Sequence, residues 1–328
     1  MPATAHCSVV IPLYNKAPHI RRAIDSVLAQ KYQDFELIVV DDGSTDGSAE
    51  IVRCYTDRRI RLVTQKRGGA SAARNRGIQE ATCELVAFLD ADDEWKPFFL
   101  DTVMGLRARY PEAGMYATAY RCSKGNASWR PDFIACPESP EGGLLRDYFH
   151  SAMGPQPVTS SSVMIPKHVL TEVGFFPETL ARGEDLQMWA QIALRYPVAW
   201  SPVDGEVYHM SASNRACLLV PLNLDPEIAF VVPIEEFLRS GCKTVPPRHS
   251  VEEYCNLMRL NHVIACHLAG KRKWALYNLD KARNTSMFWK KRMLLRAVVC
   301  FPPIVIKTAM KLKNRAGLND WMRGLQVI

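Results

Sequence analysis

The sequence predicts an α/β protein: a Rossmann-like, mostly parallel sheet flanked by helices, with a helical basic C-terminal extension. Three observations carry this. Short continuous apolar runs, such as Leu37-Ile38-Val39-Val40 and Leu85-Val86-Ala87-Phe88-Leu89, alternate with segments of helical period. Runs of this length read as strands buried on both faces, and the alternation implies right-handed crossovers between parallel strands. Both runs end in clustered acids, Asp41-Asp42-Gly43-Ser44 and Asp90-Ala91-Asp92-Asp93. Finally, charge is segregated toward the C-terminus.

Ser8 to Leu13 reads as the first strand. Asn15 is expected to cap a helix with Pro18 in its first turn, Ile20, Ile24, Val27 and Leu28 lining one face. Glu36 to Val40 is the second strand, Ser44 to Cys54 a helix opened by polar residues, and Ile60 to Val63 the third strand. Gly68-Gly69 leads into a helix from Ala70 to Ala81, Leu85 to Leu89 is the fourth strand, and Pro97 opens the next helix. A second region follows Met115, with strands at Met115 to Tyr120 and Ser162 to Ile165 and a helix from Glu184 to Tyr196. Glycine, proline and serine between Pro131 and Ser161 mark long loops. From about Val251 the pattern is helical and basic.

The 328 residues suffice for one large domain or two smaller ones. The ten cysteines, Cys217 among them, form no Cys-x-x-Cys pair, and no secretory signal precedes Ser8. The expectation is a reducing cytoplasm with cysteines acting as small core residues. Residues 271–328 hold 14 Lys and Arg against Asp280 and Asp320, a charge of +12 that leaves −5 on residues 1–270 of a chain totalling +7. Such a tail suits an anionic partner. Ala297 to Ile306 is apolar but short and broken by Pro302-Pro303, which argues against a membrane span.

In open α/β sheets, ligands bind outside the carboxyl ends of the strands. Carboxylates crowded there repel unless a cation or a hydrogen-bonded ligand neutralises them. Asp90 and Asp92 alternate, so both could face one hard divalent metal that keeps part of its shell for water and phosphate. The two clusters therefore point to a metal-diphosphate site.

Four blocks occur in fixed order: Val9-Val10-Ile11-Pro12-Leu13-Tyr14-Asn15, Val40-Asp41-Asp42-Gly43-Ser44-Thr45-Asp46-Gly47-Ser48, Gly69-Ala70-Ser71-Ala72-Ala73-Arg74-Asn75-Arg76-Gly77 and Phe88-Leu89-Asp90-Ala91-Asp92-Asp93. With Glu184-Asp185 opening a later helix, the chain from about Cys7 to Asn214 resembles glycosyltransferase family 2. The resemblance implies a GT-A fold, a nucleotide-sugar donor, a divalent metal (Mn²⁺ or Mg²⁺) and inversion at the anomeric carbon. It divides the chain into a nucleotide-sugar-binding half at 1–115, an acceptor-binding half at 116–250 and the helical basic region at 251–328.

It also implies roles. Asp92 is the first choice of metal ligand, and Asp90 binds metal directly, through water, or through ribose. Asp42 contacts the nucleoside, where a carboxylate suits the uracil N–H and so favours a UDP-sugar. Tyr14 stacks on the base beside Pro12. Arg74 reaches the carboxylates or diphosphate, and Asn75 ties down the neighbouring loop. Asp185 is the base that inversion requires, Glu184 supports the acceptor or the loop, and His209 lines the metal or phosphates from the far side. Plainer readings stand beside these: a core tyrosine at Tyr14, a turn at Asp46, helix caps at Asp93 and Asp185, and a satisfied polar histidine at His209.

The acceptor is expected to be a glycan or a lipid-linked molecule of cell-surface polysaccharide synthesis. Lys271-Arg272-Lys273-Trp274 and Phe288-Trp289-Lys290-Lys291-Arg292 suit either an interfacial helix on anionic lipid, peripheral to the inner membrane face, or a packed helical subdomain. No nucleic-acid partner is expected. A dinucleotide enzyme or nucleotidyltransferase is disfavoured because Pro12-Leu13-Tyr14-Asn15, not a Gly-x-Gly-x-x-Gly turn, follows the first strand. A non-catalytic nucleotide-sugar binder is disfavoured by the intact Asp92 and Asp185.

Overall fold

The computed structural model describes residues 6–212 and 224–308. Cys217, Asn214, Asp320 and the rest of the basic tail beyond 308 lie outside them. Among the described residues, ten strands join one sheet whose main path runs β3-β2-β1-β4-β9-β6-β10-β5. β1 (Cys7–Leu13) pairs in parallel with β2 (Phe35–Asp41) from Cys7↔Phe35 to Leu13↔Asp41, and β2 pairs in parallel with β3 (Ile60–Thr64). β4 (Leu85–Phe88) lies parallel on the other side of β1. The parallel strands thus end together, directly before Tyr14, Asp42 and the acids at 90–93.

Helices α1 (Ile20–Leu28), α2 (Ser48–Arg53) and α3 (Ala70–Glu80) make the crossovers of this half. β9 (Val163–Pro166) then inserts antiparallel between β4 and β6 (Met115–Lys124). β10 (Val198–His209) runs parallel to β6 and pairs antiparallel with β5 (Glu94–Trp95), closing the sheet behind the second acidic cluster. β7 (Ala127–Trp129) and β8 (Gly143–Leu144) are short partners of β6 and β10. Around this sheet lie α4 (Phe99–Arg109), α5 (Tyr148–Ser151), α6 (Lys167–Val173) and α7 (Glu184–Arg195).

Among the described residues there follow α8 (Val232–Arg239), α9 (Arg248–Leu268), α10 (Arg272–Lys281) and α11 (Trp289–Val298). α9 joins the main core through Val251, Tyr254 and Met258, with Tyr254 edge-on to Phe149 of α5 at 5.3 Å. The buried Arg259 fixes α8 to α9 through Glu235 (2.8 Å).

Two local expectations change. Asn15 does not cap α1. It takes a left-handed conformation (φ 49°), its amide donates to Ser44 Oγ (3.0 Å), and its side chain accepts from Thr45 N (2.8 Å). It therefore stitches the β1 loop to the β2 loop. The second helix begins at Ser48 rather than Ser44, because Asp41 accepts from Ser44 N, Asp46 accepts from Ser48 N, and Gly47 takes φ 86°. Asx-type bonds hold 43–47 as a turn instead.

Candidate active site

Arg74 is the centre of the site. It projects from α3, its side chain only 5% exposed, and donates to Asp90 (2.8 Å) and to Glu184 at the start of α7 (3.0 Å). Its guanidinium stands 5.3 Å over the Phe176 ring, and the neighbouring anions hold it firmly charged despite burial. One cation thus joins the β4 loop to a helix 110 residues away. Asn75, the next residue, donates to Phe176 O and Glu178 Oε1 and accepts from Phe176 N, each at 2.9 Å. The two residues dock the segment that leads into α7.

Asp185 lies one residue past Glu184, in the first turn of α7. The helix starts after Gly183, whose φ of 82° turns the chain, and Asp185 Oδ1 accepts from Leu186 N (2.8 Å). Burial, then the Glu184 charge, push its carboxyl up to about 7, against the opposing pull of Arg74. Tyr148 and the α9 residue Tyr254 share its field.

In the second acidic cluster, Asp92 Oδ2 meets Lys16 Nζ at 2.6 Å, while Arg22 donates to the Asp92 carbonyl. Asp90 N is held by Ser161 Oγ (3.0 Å). Asp93 is fully buried and does not cap a helix: it accepts from Ser161 Oγ (2.8 Å) and His209 N (2.9 Å). Burial and the adjoining Glu206 raise its carboxyl well above the ordinary range. Glu206 is itself pushed up to about 8 by burial and is bonded to Thr159. The helix-cap expectation fails here because Glu94-Trp95 form β5, so no helix starts until Phe99.

His209 ends β10 with its ring 3.5 Å from Glu94 Oε2, and this contact holds the Glu94 carboxyl below its usual range. Its ring therefore faces the acidic loop from the β10 side.

On the first cluster, buried Asp42 accepts from Gln65 Nε2 (2.8 Å), Gly68 N (2.7 Å) and Gly69 N (2.8 Å). Both its oxygens are engaged in ordering the loop that leads into α3. Tyr14 is half-buried, and the Arg67 guanidinium of that same loop lies 4.2 Å over its ring. Pro12 sits in β1 opposite Val40, past the last β1–β4 pair at Val10, so its missing N–H costs no ladder bond.

The structure thus brings Arg74, Asp90, Glu184 and Asp185 into one charged network. Asp92 lies at the other end of the short Asp90–Asp93 turn, and Tyr14 and Asp42 lie around the loop at 65–69. Lys16, Ser161 and Arg67 were not anticipated. Lys16 follows the first block directly, and that adjacency was its only signal. Ser161 lay in a stretch legible only as loop.

A family model described as "Glycosyl transferase family 2" matches residues 8–164. An uncharacterized glycosyltransferase of Escherichia coli K12, YibD, is 45% identical over 106 residues, 32% of this chain and 31% of that protein. An uncharacterized glycosyltransferase of Rickettsia felis is 32% identical over 191 residues, 57% of this chain and 30% of that protein. The chain therefore spans about a third of the length of these curated relatives. Among solved structures, S. aureus TarS in complex with UDP-GlcNAc aligns with a TM-score of 0.65 at 18% identity, over 84% of this chain and 80% of that one. The mannosyltransferase PcManGT from Pyrobaculum calidifontis, in complex with GDP-Man and Mn²⁺, aligns with a TM-score of 0.54 at 21% identity, over 98% and 88%. At those identities the likeness is one of fold, and it is the GT-A arrangement of an open sheet flanked by helices. The ordered blocks, the sheet and the family model agree: residues 8–164 match glycosyl transferase family 2, on a GT-A-like fold.

Proposed function

We propose that the chain is an inverting, metal-dependent glycosyltransferase. It would move a sugar from a nucleotide-diphosphate donor, with UDP-sugar favoured, to a glycan or lipid-linked acceptor in cell-surface polysaccharide synthesis. The observation that carries the reading is the Arg74 network, which gathers Asp90, Glu184 and Asp185 at the carboxyl ends of the parallel strands. The nucleotide-sugar complexes of TarS and PcManGT support a donor of this class, and the Mn²⁺ of PcManGT supports a divalent metal.

The donor set fits such a metal. Asp92 already holds an ammonium at 2.6 Å, so a cation can sit against its carboxylate. Asp90 and Asp92 offer hard oxygen ligands. No group of three or more His, Cys, Asp or Glu among the described residues is arranged to hold a metal, so the rest of the shell would come from water and the diphosphate. Bound there, Mn²⁺ or Mg²⁺ would offset the charge that develops on the departing diphosphate.

The chain's own groups would do the rest. Tyr14, with Pro12 behind it, would offer a face to the base. Asp42 would order the 65–69 loop and accept from the base N–H. Arg74 would hold Asp90 and Glu184 in place, and Asn75 would fix the loop before α7. His209 would approach the phosphates from the β10 side. Asp185 would take the acceptor hydroxyl proton at its carboxylate as the hydroxyl attacks the anomeric carbon opposite the leaving group. A carboxyl raised to about 7 suits that task near neutral pH.

The partners and location follow from the C-terminal helices. No helix among the described residues is long and apolar enough to cross a membrane. α11 exposes Trp289, Met293 and Leu294 beside Lys290 and Arg296, which supports peripheral binding to the anionic cytoplasmic face of a membrane.

Calorimetric titration with UDP, GDP and dTDP, each with and without Mn²⁺, tests the donor site. The expected result is UDP binding that requires Mn²⁺ and is lost in Asp92→Ala. Failure of all three nucleotides to bind would overturn the reading.

A further inference from the structure

We infer that Ser161 is the positioning residue of the metal loop. Its one hydroxyl fixes both ends of the turn that carries Asp90 and Asp92, and so sets the spacing of the two carboxylates proposed to meet the divalent ion. The inference rests on the donor-site reading above and adds to it a residue outside the four sequence blocks.

The antiparallel pairing of β4 with β9 brings Ser161 to this place. The register runs Leu85↔Pro166, Val86↔Ile165 and Ala87↔Met164, and carried three residues further it sets Asp90 opposite Ser161. The Ser161 hydroxyl accepts from Asp90 N (3.0 Å) and donates to Asp93 Oδ2 (2.8 Å), 71 and 68 residues away. Asp93 N donates in turn to Asp90 O (3.0 Å), which closes the four-residue turn. A hydroxyl both accepts and donates, so one short side chain can join a backbone N–H to a carboxylate. Ser161 is itself held, because its carbonyl accepts from Trp95 Nε1 (2.6 Å) on the chain leaving the turn. His209 N takes the other oxygen of Asp93 (2.9 Å). Arg74 grips the Asp90 carboxylate, whereas Ser161 grips the Asp90 backbone.

The frame is buried and the carboxylates it carries are more open. Ser161 is 1% exposed and Asp93 2%, while the side chains of Asp90 and Asp92 are 30% and 14% exposed. The turn is thus fixed from the inside, and its outer oxygens stay within reach of a ligand. Removing the hydroxyl takes that partner from both Asp90 N and Asp93 Oδ2. Their bonds return only if water enters or the turn shifts. Either change loosens the frame, and ordering it again then opposes metal binding. A turn held in advance binds without that loss. Groups that hold metal ligands in place typically contribute about 10–100-fold to metal affinity.

The test is the Mn²⁺ affinity of the full chain in the presence of UDP, read from the electron paramagnetic resonance of free Mn²⁺ against UDP alone. Ser161→Ala removes both bonds, and Ser161→Cys leaves a weak donor and acceptor in their place. Ser162→Ala is the comparison, since Ser162 is also fully buried and its hydroxyl accepts from Thr159 N (2.9 Å). Ser161→Ala is expected to weaken Mn²⁺ binding at least about tenfold, the low end of such effects. Ser161→Cys should fall between that variant and the unaltered chain, and Ser162→Ala should match the unaltered chain. The line shape of bound Mn²⁺, which reports the symmetry of its ligands, should change in Ser161→Ala and not in Ser162→Ala. Should circular dichroism show Ser161→Ala unfolded, Ser161→Cys decides by the same measure. Unchanged Mn²⁺ affinity in the folded Ser161 variants, or an equal loss in Ser162→Ala, would overturn the role of Ser161 while leaving the donor site standing. Absence of Mn²⁺ binding in every protein, the unaltered chain included, would overturn the donor site and this inference with it.

Discussion

Asp185 is the carboxyl group proposed as the base. Burial raises it to about 7, with Glu184 adding to the rise and Arg74 restraining it. A base must be unprotonated to act, so kcat/KM is expected to rise with pH through about 7 and level off above it. Asp185→Asn should lower kcat by about 10²–10⁴-fold, the usual contribution of a positioned base, with UDP binding unchanged by calorimetry. Full activity in that variant would remove Asp185 from the proton transfer. Other residues show what a linear pattern cannot reach. Asp42 was placed by the strand before it, but its partners Gln65, Gly68 and Gly69 lie 23 to 27 residues on. Asp93 looked like a helix cap because acids favour helix starts, yet Ser161 and His209 take it inward from 68 and 116 residues away.

Among the elements, α3 does most to place the site, since Arg74 and Asn75 stand on it. Its seat on β1 depends on Gly77, where an added Cβ would lie 2.2 Å from Val10 Cγ1. Gly77→Ala is therefore expected to cost about 1–3 kcal/mol, the usual penalty of overpacking, seen as a lower denaturant midpoint at constant m. Val10→Ala in the same chain should recover part of that loss, because the two changes share one contact. Additive losses would show that the close approach is not limiting. β1, β2 and β4 were legible because burial on both faces leaves unbroken apolar runs. β5, β7 and β8, of two or three residues each, are too short to show a period, and pairing with β10 and β6 alone defines them. Residues 44–47 read as the start of the helix because serine, threonine and aspartate serve both helix caps and turns; the Asp41 and Asp46 bonds and the positive φ of Gly47 make them a turn.

At the scale of the molecule, the charge and exposed apolar side chains suit the anionic bilayer proposed as a partner. Residues 1–270 carry −5 and residues 271–328 carry +12, and α10 and α11 lie within the latter stretch. Those helices bury one side: Leu295 and Val299 pack with Leu260 and Leu279. The other side is open. Trp289 is 55% exposed and Ile304 68%, with Met293, Leu294 and Phe301 between them. The spacing of four residues from Trp289 to Met293 suits an apolar stripe on α11, and Lys290, Arg296 and Lys307 are exposed in the same stretch. Apolar side chains among lysines and arginines suit the boundary between headgroups and acyl chains of an anionic bilayer. The chain is expected to sediment with vesicles of phosphatidylglycerol, less with neutral phosphatidylcholine vesicles, and to be released as salt screens the surface. Replacing Trp289, Met293 and Phe301 together by Ala should weaken vesicle binding at least about tenfold, since each buries apolar area worth more than 1 kcal/mol. UDP binding should stay unchanged, because these residues lie outside the Arg74 network. If the chain fails to sediment with phosphatidylglycerol at low salt, α11 faces a protein instead, and the acceptor must reach Asp185 from solution.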